Sequence, residues 1–175
     1  MDLFPLYLTI KVSLIATLLV AVIGIAIAYL LAKRDFPAKN FLDALILLPL
    51  VFPPTVTGYY LIVLFGKAGI IGKYIYSLTG FSIAFTWQAA VLASVIVAMP
   101  FMIKTSRAAI ESVDIELEKV AYTLGKTRWE TMLLVTFPLA KKGIFAGIVL
   151  SFARAMGEFG ATLMFAGNIP GKTNT

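Results

Sequence analysis

Long apolar stretches separated by shorter charged segments dominate the pattern of this chain. Three of these stretches contain no charged residue, and the fourth contains two, Arg154 and Glu158. The four stretches cover residues 12–32, 44–65, 83–103 and 143–166. About 20 apolar residues in a helix cross a hydrocarbon core of about 30 Å, so each stretch is long enough to span a membrane. The pattern predicts an all-α, polytopic membrane protein that forms one transmembrane domain over residues 1–175.

Composition narrows the chemistry that the chain can perform. Of its 175 residues, 60% are hydrophobic and 14% are charged, and neither cysteine nor histidine occurs. Disulfides, thiolate metal sites, cysteine nucleophiles and histidine bases are therefore excluded. We expect a protein that is not an enzyme and that has no catalytic residue, metal or cofactor. Despite the net charge of +6, no basic and aromatic surface is large enough to indicate nucleic-acid binding.

The loops between the stretches differ in their content of lysine and arginine. The first loop contains three, the second two and the third seven. Because positively charged loops remain in the cytoplasm, the N-terminus and the second loop are expected outside the cell membrane. Asp2 precedes the first stretch, and Lys33 and Arg34 follow it. This order disfavours a cleaved signal peptide and predicts a retained helix.

Three prolines, Pro49, Pro53 and Pro54, interrupt the second stretch. Each proline removes a backbone donor and kinks a helix. In a bilayer such breaks persist where protein or a water-filled cavity satisfies the freed carbonyls. Two interpretations remain open: a kinked helix that lines a pathway through Thr55 and Thr57, and an ordinary kinked packing helix.

The third loop, residues 104–142, has the pattern of a helix–glycine–helix unit. Apolar residues recur at helical spacing over residues 110–124, and mostly acidic residues occupy the opposite face. Gly125 is expected to end the first helix as a left-handed cap. A capping box begins at Thr127, and its helix is expected to stop before Pro138. The acidic polar face would repel anionic lipid, so the pattern favours docking against another protein.

Arg154 and Glu158 lie four residues apart and therefore on one face of the fourth predicted helix. A charge near the middle of a bilayer costs a few kcal/mol or more unless it is paired or hydrated. This face is thus expected to point into protein or a cavity. The pair either locks neighbouring helices together or attracts an anion through Arg154 while Glu158 prevents its trapping.

Residues 117–125, followed by residues 135–138, resemble the Glu-Ala-Ala…Gly…Ile-x-Leu-Pro loop of the permeases of ABC importers. In that family the loop is the cytoplasmic coupling element and docks in a groove of the ATPase subunit. Lys119 stands where the motif has glutamate, and Glu118 is displaced by one position. The resemblance implies five ATPase-coupling residues, the last three of which match the motif: Glu118, Lys119, Ala121, Gly125 and Pro138.

Two further stretches, residues 48–59 and 152–173, are similar to the molybdate permeases, with the sulfate and tungstate permeases as close relatives. The resemblance implies a type I importer permease of the cell (inner) membrane that carries molybdate. It also implies an ABC ATPase, an external oxyanion-binding protein, a second permease copy in a homodimer, and the lipid bilayer as partners. Members of the family usually continue with at least one more membrane helix, so a C-terminally truncated chain is expected.

As a permease, the chain is expected to line its translocation pathway with four residues: Thr55, Thr57, Arg154 and Glu158. Sulfate or tungstate is the alternative substrate. An ion-coupled secondary transporter would need intramembrane titratable groups and commonly an internal repeat, whereas this sequence has one Arg–Glu pair and no visible repeat. A membrane scaffold would explain the spans but not the capped cytoplasmic unit.

Overall fold

A computed structural model describes residues 3–175. These residues form nine α-helices and one π-helical turn, and no β-strand lies among them, which confirms the all-α prediction. In chain order the helical segments are α1 Phe4–Lys33, α2 Lys39–Val51, α3 Pro54–Phe65, α4 Gly72–Thr79, α5 Trp87–Glu111, α6 Ile115–Thr123, α7 Arg128–Thr131, the π-turn Met132–Thr136, α8 Phe137–Met156 and α9 Gly160–Ala166.

Three helical stretches among residues 3–175 are long and apolar enough to cross a membrane: α1, α5, and the continuous stretch from α7 through α8. Helices α2 and α3 make a fourth candidate only as a pair, because they are bent by 116° at the break between them. The break follows from Pro53 and Pro54. A residue before proline is driven to extended backbone, and both Phe52 and Pro53 precede a proline and have ψ near 140°.

The last candidate span differs from its predicted bounds. Instead of one helix over residues 143–166, α8 ends at Met156 and α9 begins at Gly160. The expectation that a helix stops before Pro138 is also wrong, because Pro138 lies in the first turn of α8. The π-turn just before it supplies the reason. The Phe137 N–H bonds to the Met132 carbonyl, and such a wider turn accommodates a proline inside a helical run.

Helices α1 and α5 are parallel and form the centre of the fold. The Lys11 ammonium lies 4.3 Å from the centre of the Trp87 ring at one end, and Gly24 packs on Met102 farther along. Helix α8 runs antiparallel to α5 and packs on it through Gly143 and Gly147. Small residues permit this close approach of membrane helices. The N-terminus and the α3–α5 connection are therefore at one end, and α6 and α7 at the other.

Helix α9 packs on α3, so the two broken spans meet. A Cβ atom on Gly160 would lie 2.6 Å from the Cβ of Pro54, and one on Gly58 would lie 2.8 Å from the Ala161 carbonyl oxygen. Contacts this close leave no room for a side chain at either glycine. We call this contact the membrane junction, defined by residues 53–58 and 157–164.

Candidate functional site

Local hydrogen bonds set the limits of α6 in the predicted coupling unit. The helix does not continue from residue 110 as expected, because α5 ends at Glu111 and the Asp114 side chain caps a new helix by accepting the Glu116 N–H. Asp is a strong N-cap and favours such a restart. At the other end Gly125 has φ +79°, which confirms the predicted left-handed cap.

The predicted capping box that starts the next helix is also confirmed. The Thr127 hydroxyl accepts the Glu130 N–H, and the Glu130 carboxylate accepts the Thr127 N–H. Two backbone donors at the start of α7 are thereby satisfied. Local caps thus set the end of α6 and the start of α7, on either side of Gly125.

One side of α6 is buried against the membrane helices, and it carries two of the predicted coupling residues. Glu118 is 5% exposed and Ala121 is 6% exposed. The Glu118 carboxylate lies 2.8 Å from the Lys33 ammonium of α1 and accepts a 2.6 Å hydrogen bond from the Thr136 hydroxyl. These bonds hold α6 against α1 and the π-turn. Glu118 is thus paired within the chain, while the prediction that Glu118 or Lys119 meets a charge of the ATPase stays a prediction.

A second side of α6, about a quarter turn from the buried one, presents an apolar stripe to the surroundings. Leu117, Val120 and Leu124 are 48%, 55% and 76% exposed, and their spacing puts them on one side of the helix. Exposed apolar surface of this kind marks an interaction site. We call Leu117, Val120 and Leu124 the docking stripe. The apolar residues predicted to form one stripe therefore fall into two groups. Ile110, Val113 and Ala121 are buried, whereas the residues of the docking stripe are exposed.

The other predicted coupling residues have different surroundings. Lys119 is exposed and its ammonium lies 2.6 Å from the Glu116 carboxylate. Gly125 follows the docking stripe, and a Cβ atom built on it would meet no other atom within 4 Å. Pro138 is exposed but belongs to α8. Among the five predicted residues, Lys119 and Gly125 are thus the accessible ones on or beside α6.

The membrane junction contains three of the predicted pathway residues, Thr55, Thr57 and Glu158, and Arg154 lies just before it in α8. The Arg154 guanidinium lies 2.6 Å from the Glu158 carboxylate, whose other oxygen accepts the Ala161 N–H at 2.6 Å. Glu158 therefore caps α9 as well as balancing the charge of Arg154. The two residues do not share one face of a continuous helix, since the pair bridges the end of α8 and the break that follows.

The two threonines of the junction differ in exposure. Thr57 is buried and its hydroxyl lies 3.5 Å from the Pro53 carbonyl oxygen, whereas Thr55 is exposed. A Cβ atom on Gly160 would lie 3.4 Å from the Thr55 nitrogen. The structure thus brings the segment that contains both threonines next to the segment that follows Glu158, although about 100 residues of sequence separate them.

Sequence reasoning missed the role of Lys33. The sequence pattern used Lys33 for the orientation of the first loop and against a cleaved signal peptide, whereas the structure places its ammonium on the buried Glu118 carboxylate. A glutamate one position away from the coupling motif was the signal available. It did not identify the partner, because 85 residues separate the two side chains.

Comparison with known proteins gives the chain a family context. Residues 13–173 match the family model described as the binding-protein-dependent transport system inner membrane component. The molybdenum transport system permease protein ModB of Escherichia coli strain K12 is 47% identical over 168 residues, which are 96% of this chain and 73% of that protein. ModB of Haemophilus influenzae is 43% identical over 175 residues, 100% of this chain and 76% of that protein.

Two further similarities extend this context. The putative molybdenum transport system permease protein YvgM of Bacillus subtilis strain 168 is 41% identical over 98% of this chain and 75% of that protein. A crystal structure of an amino acid ABC transporter with histidines superimposes with a TM-score of 0.60 and 23% identity. That superposition covers 89% of this chain and 66% of the solved chain. At this identity the likeness concerns the fold.

Proposed function

The chain belongs to the family of binding-protein-dependent transport system inner membrane components, and from this membership we propose that it is the permease subunit of an ATP-driven importer of molybdate. The proposal of molybdate as the substrate rests on the likeness to molybdenum permeases over nearly the whole chain. Tungstate is a tetrahedral dianion of similar size and would pass the same pore. The external binding protein therefore sets the choice between the two anions.

The docking stripe is the proposed contact with the cytoplasmic ATPase. Leu117, Val120 and Leu124 supply the apolar area, and Gly125 lets the partner approach the end of α6 closely. Lys119 and Glu116 are exposed on α6 as an ion pair beyond the edge of the docking stripe. Glu118 and Ala121 contribute to docking indirectly, because their buried side chains hold α6 against the membrane helices.

Coupling follows from the contacts of α6 with the rest of the chain. Glu118 connects α6 to α1 through Lys33 and to the π-turn through Thr136. The π-turn continues into α8, which carries Arg154 in its last turn and ends at Met156, next to the membrane junction. We propose that movement of the ATPase shifts α6 together with α1 and α8, and that this shift changes the junction where α3 and α9 meet.

The path of the anion is proposed to lie along the membrane junction, between this chain and a second copy. The cavity beside Glu158 and Thr162 has a volume of about 10 Å³. A space of this size holds about one water molecule and is too small for a tetrahedral oxyanion. Arg154 is partly exposed and Thr55 is exposed, so the path is proposed to run along this open side of the junction, with the second copy of a homodimer as its other wall. An external binding protein delivers the anion to this path.

Topology completes the proposal. Residues 1–175 form one transmembrane domain. The unit of residues 104–142 is cytoplasmic because it contains more lysines and arginines than either of the other two loops. The parallel arrangement of α1 and α5 supports this topology, since it requires the N-terminus and the α3–α5 connection to share the outer side.

Uptake of labelled molybdate by cells that lack their own molybdenum permease tests this function. We expect uptake to return when the chain is expressed with its ATPase and binding protein, and to stop when the ATPase is inactivated while ion gradients are intact. Excess tungstate should compete, and excess sulfate should compete weakly. Uptake that survives ATPase inactivation and stops when the ion gradients are dissipated would instead support a secondary transporter.

A further inference from the structure

A cleft of about 620 Å³ lies between the end of α1, α6 and the start of α7. Nine residues line it: Tyr29, Lys33, Arg34, Ile115, Glu118, Lys119, Tyr122, Arg128 and Trp129. We call it the cationic cleft, because four of these residues are cations and one is a carboxylate. We propose that the cationic cleft binds the phosphate headgroup of an anionic phospholipid. This inference goes beyond the proposed function and does not depend on which anion is transported.

Two of the four cations are available to a ligand. Lys33 is occupied by the buried Glu118, which also accepts the Thr136 hydroxyl, and Lys119 pairs with Glu116. Arg34 and Arg128, by contrast, make no ion pair with any other residue in the described range 3–175. Free guanidinium groups bind phosphate oxygens in bidentate fashion. The cleft therefore combines unpaired positive charge with enough volume for a phosphate ester.

The position of the cleft indicates a lipid rather than a soluble anion. Tyr29, Lys33 and Arg34 are at the end of the membrane helix α1, and Trp129 is in the first turn of another candidate span. Tyrosine and tryptophan concentrate at the membrane–water interface. Basic pockets between membrane helices on the cytoplasmic side bind anionic headgroups. Trp129 is 68% exposed and offers an apolar surface beside the cations.

The proposed ATPase contact leaves the cleft free. At 3.6 residues per turn, Ile115, Lys119 and Tyr122 are about half a turn away from the docking stripe. A partner seated on the docking stripe therefore approaches α6 from the side opposite the cleft. The acidic polar face of α6 does not repel the headgroup from this site. The headgroup enters a pocket between helices, and the carboxylate that lines this pocket, Glu118, is paired with Lys33.

Retention of lipid by the assembled transporter tests the proposal. The transporter is purified from cells into nanodiscs of phosphatidylcholine and phosphatidylglycerol, and bound lipid is counted by native mass spectrometry. We expect Arg34→Gln/Arg128→Gln to retain phosphatidylglycerol roughly 30-fold less well than the parent, because each of the two interfacial cations contributes about 1 kcal/mol and about 1.4 kcal/mol corresponds to tenfold in affinity. The matched control is Lys141→Gln/Lys142→Gln, which removes two exposed cations on the same side outside the cleft. It should retain the lipid.

Four results would overturn the proposal. Equal loss from both double variants would mean diffuse surface attraction, and full retention by both would mean that no site exists. Thermal stabilisation by inorganic phosphate or molybdate in pure phosphatidylcholine, lost only in Arg34→Gln/Arg128→Gln, would identify a small-anion site. Loss of the ATPase from that variant alone would assign the cleft to an acidic segment of the ATPase. None of these readouts requires transport, so failure here is distinguishable from failure of the proposed function.

Discussion

The α6 region and the membrane junction each contain a buried carboxylate with a cationic partner, but the two pairs are built differently. At α6 the pair joins Glu118 to Lys33, which is on another helix. At the junction the pair joins Glu158 to Arg154, four residues earlier. The first pair therefore fixes the position of one helix against another, whereas the second stabilises a break within one polypeptide segment.

The apolar residues around the two pairs also differ, in how far they are exposed. Around α6 the apolar residues of the docking stripe are exposed, while at the junction small residues such as Gly58 and Gly160 are packed against a neighbouring helix. The comparison shows that α6 is held on the membrane helices by buried polar contacts and has an exposed apolar side, as the proposed ATPase contact requires. The junction is instead an internal contact whose close packing makes it sensitive to any shift of α8 or α3.

The largest effect is expected from breaking the long-range pair. Lys33→Met leaves the buried Glu118 carboxylate without its cation and should reduce the free energy of unfolding by about 3 kcal/mol. The thermal unfolding midpoint in detergent measures this loss, and proteolysis between α5 and α6 reports release of α6. Lys119→Met removes an exposed pair with Glu116 and serves as control. Similar midpoints for the two variants would show that Glu118 does not hold α6 in place.

The local pair offers a sharper test, because its two interpretations predict different outcomes. Arg154→Met leaves Glu158 unpaired and should cost about 2 kcal/mol, less than at α6 because Arg154 is partly exposed. It should also abolish molybdate uptake. Adding Glu158→Gln removes the uncompensated charge and preserves an oxygen that can accept the Ala161 N–H, so stability should recover. Uptake that stays absent in the stable double variant supports a pathway role for Arg154, whereas restored uptake leaves it a structural residue.

Close packing at the junction is tested by a pair of glycines. Gly160→Ala places a methyl group 2.6 Å from the Pro54 Cβ and should destabilise by about 1–3 kcal/mol, because overpacking forces the helices apart. At Gly157 the nearest atom to an added Cβ is 3.5 Å away, so Gly157→Ala should have little effect. Thermal midpoints and uptake are compared for both. A harmless Gly160→Ala would mean that α3 and α9 do not need this contact.

The smallest effect on stability, about 0.5 kcal/mol or less, is expected for Leu124→Asp at the exposed docking stripe. Recovery of the ATPase with the purified permease should nevertheless fall sharply, since a charge enters an apolar contact. Thr123→Asp adds the same charge at the neighbouring exposed position outside the stripe. It should keep the ATPase. Equal recovery with both variants would remove the docking stripe from the contact.

Features that depend on neighbours in the chain were predictable from the sequence. The capping box at Thr127 and the left-handed cap at Gly125 were predicted and are present. Pro53 and Pro54 likewise indicated the break in the second stretch, because proline restricts its own backbone and that of the residue before it. Apolar length indicated membrane helices, since it is a property of each segment alone.

Features that depend on distant residues were not predictable in this way. The apolar periodicity of α6 predicted a helix but not which side of it would be buried. The contacts of Glu118 with Lys33 and Thr136 decide which side is buried and thereby leave the docking stripe exposed. The break after Met156 was not predicted, although Arg154 and Glu158 flank it in an otherwise apolar run. It is visible only where Glu158 caps α9 and Gly160 packs against Pro54.

The sequence by itself thus determined that this is a helical membrane protein, where the caps around Gly125 lie, and which family it resembles. Only the tertiary structure decided which charges are internal and which apolar residues are left for a partner. The physical reason is one of range. Caps, proline breaks and hydrophobic length act over a few residues, whereas the burial of Glu118 and the contact of α9 with α3 depend on segments that meet only in the folded chain.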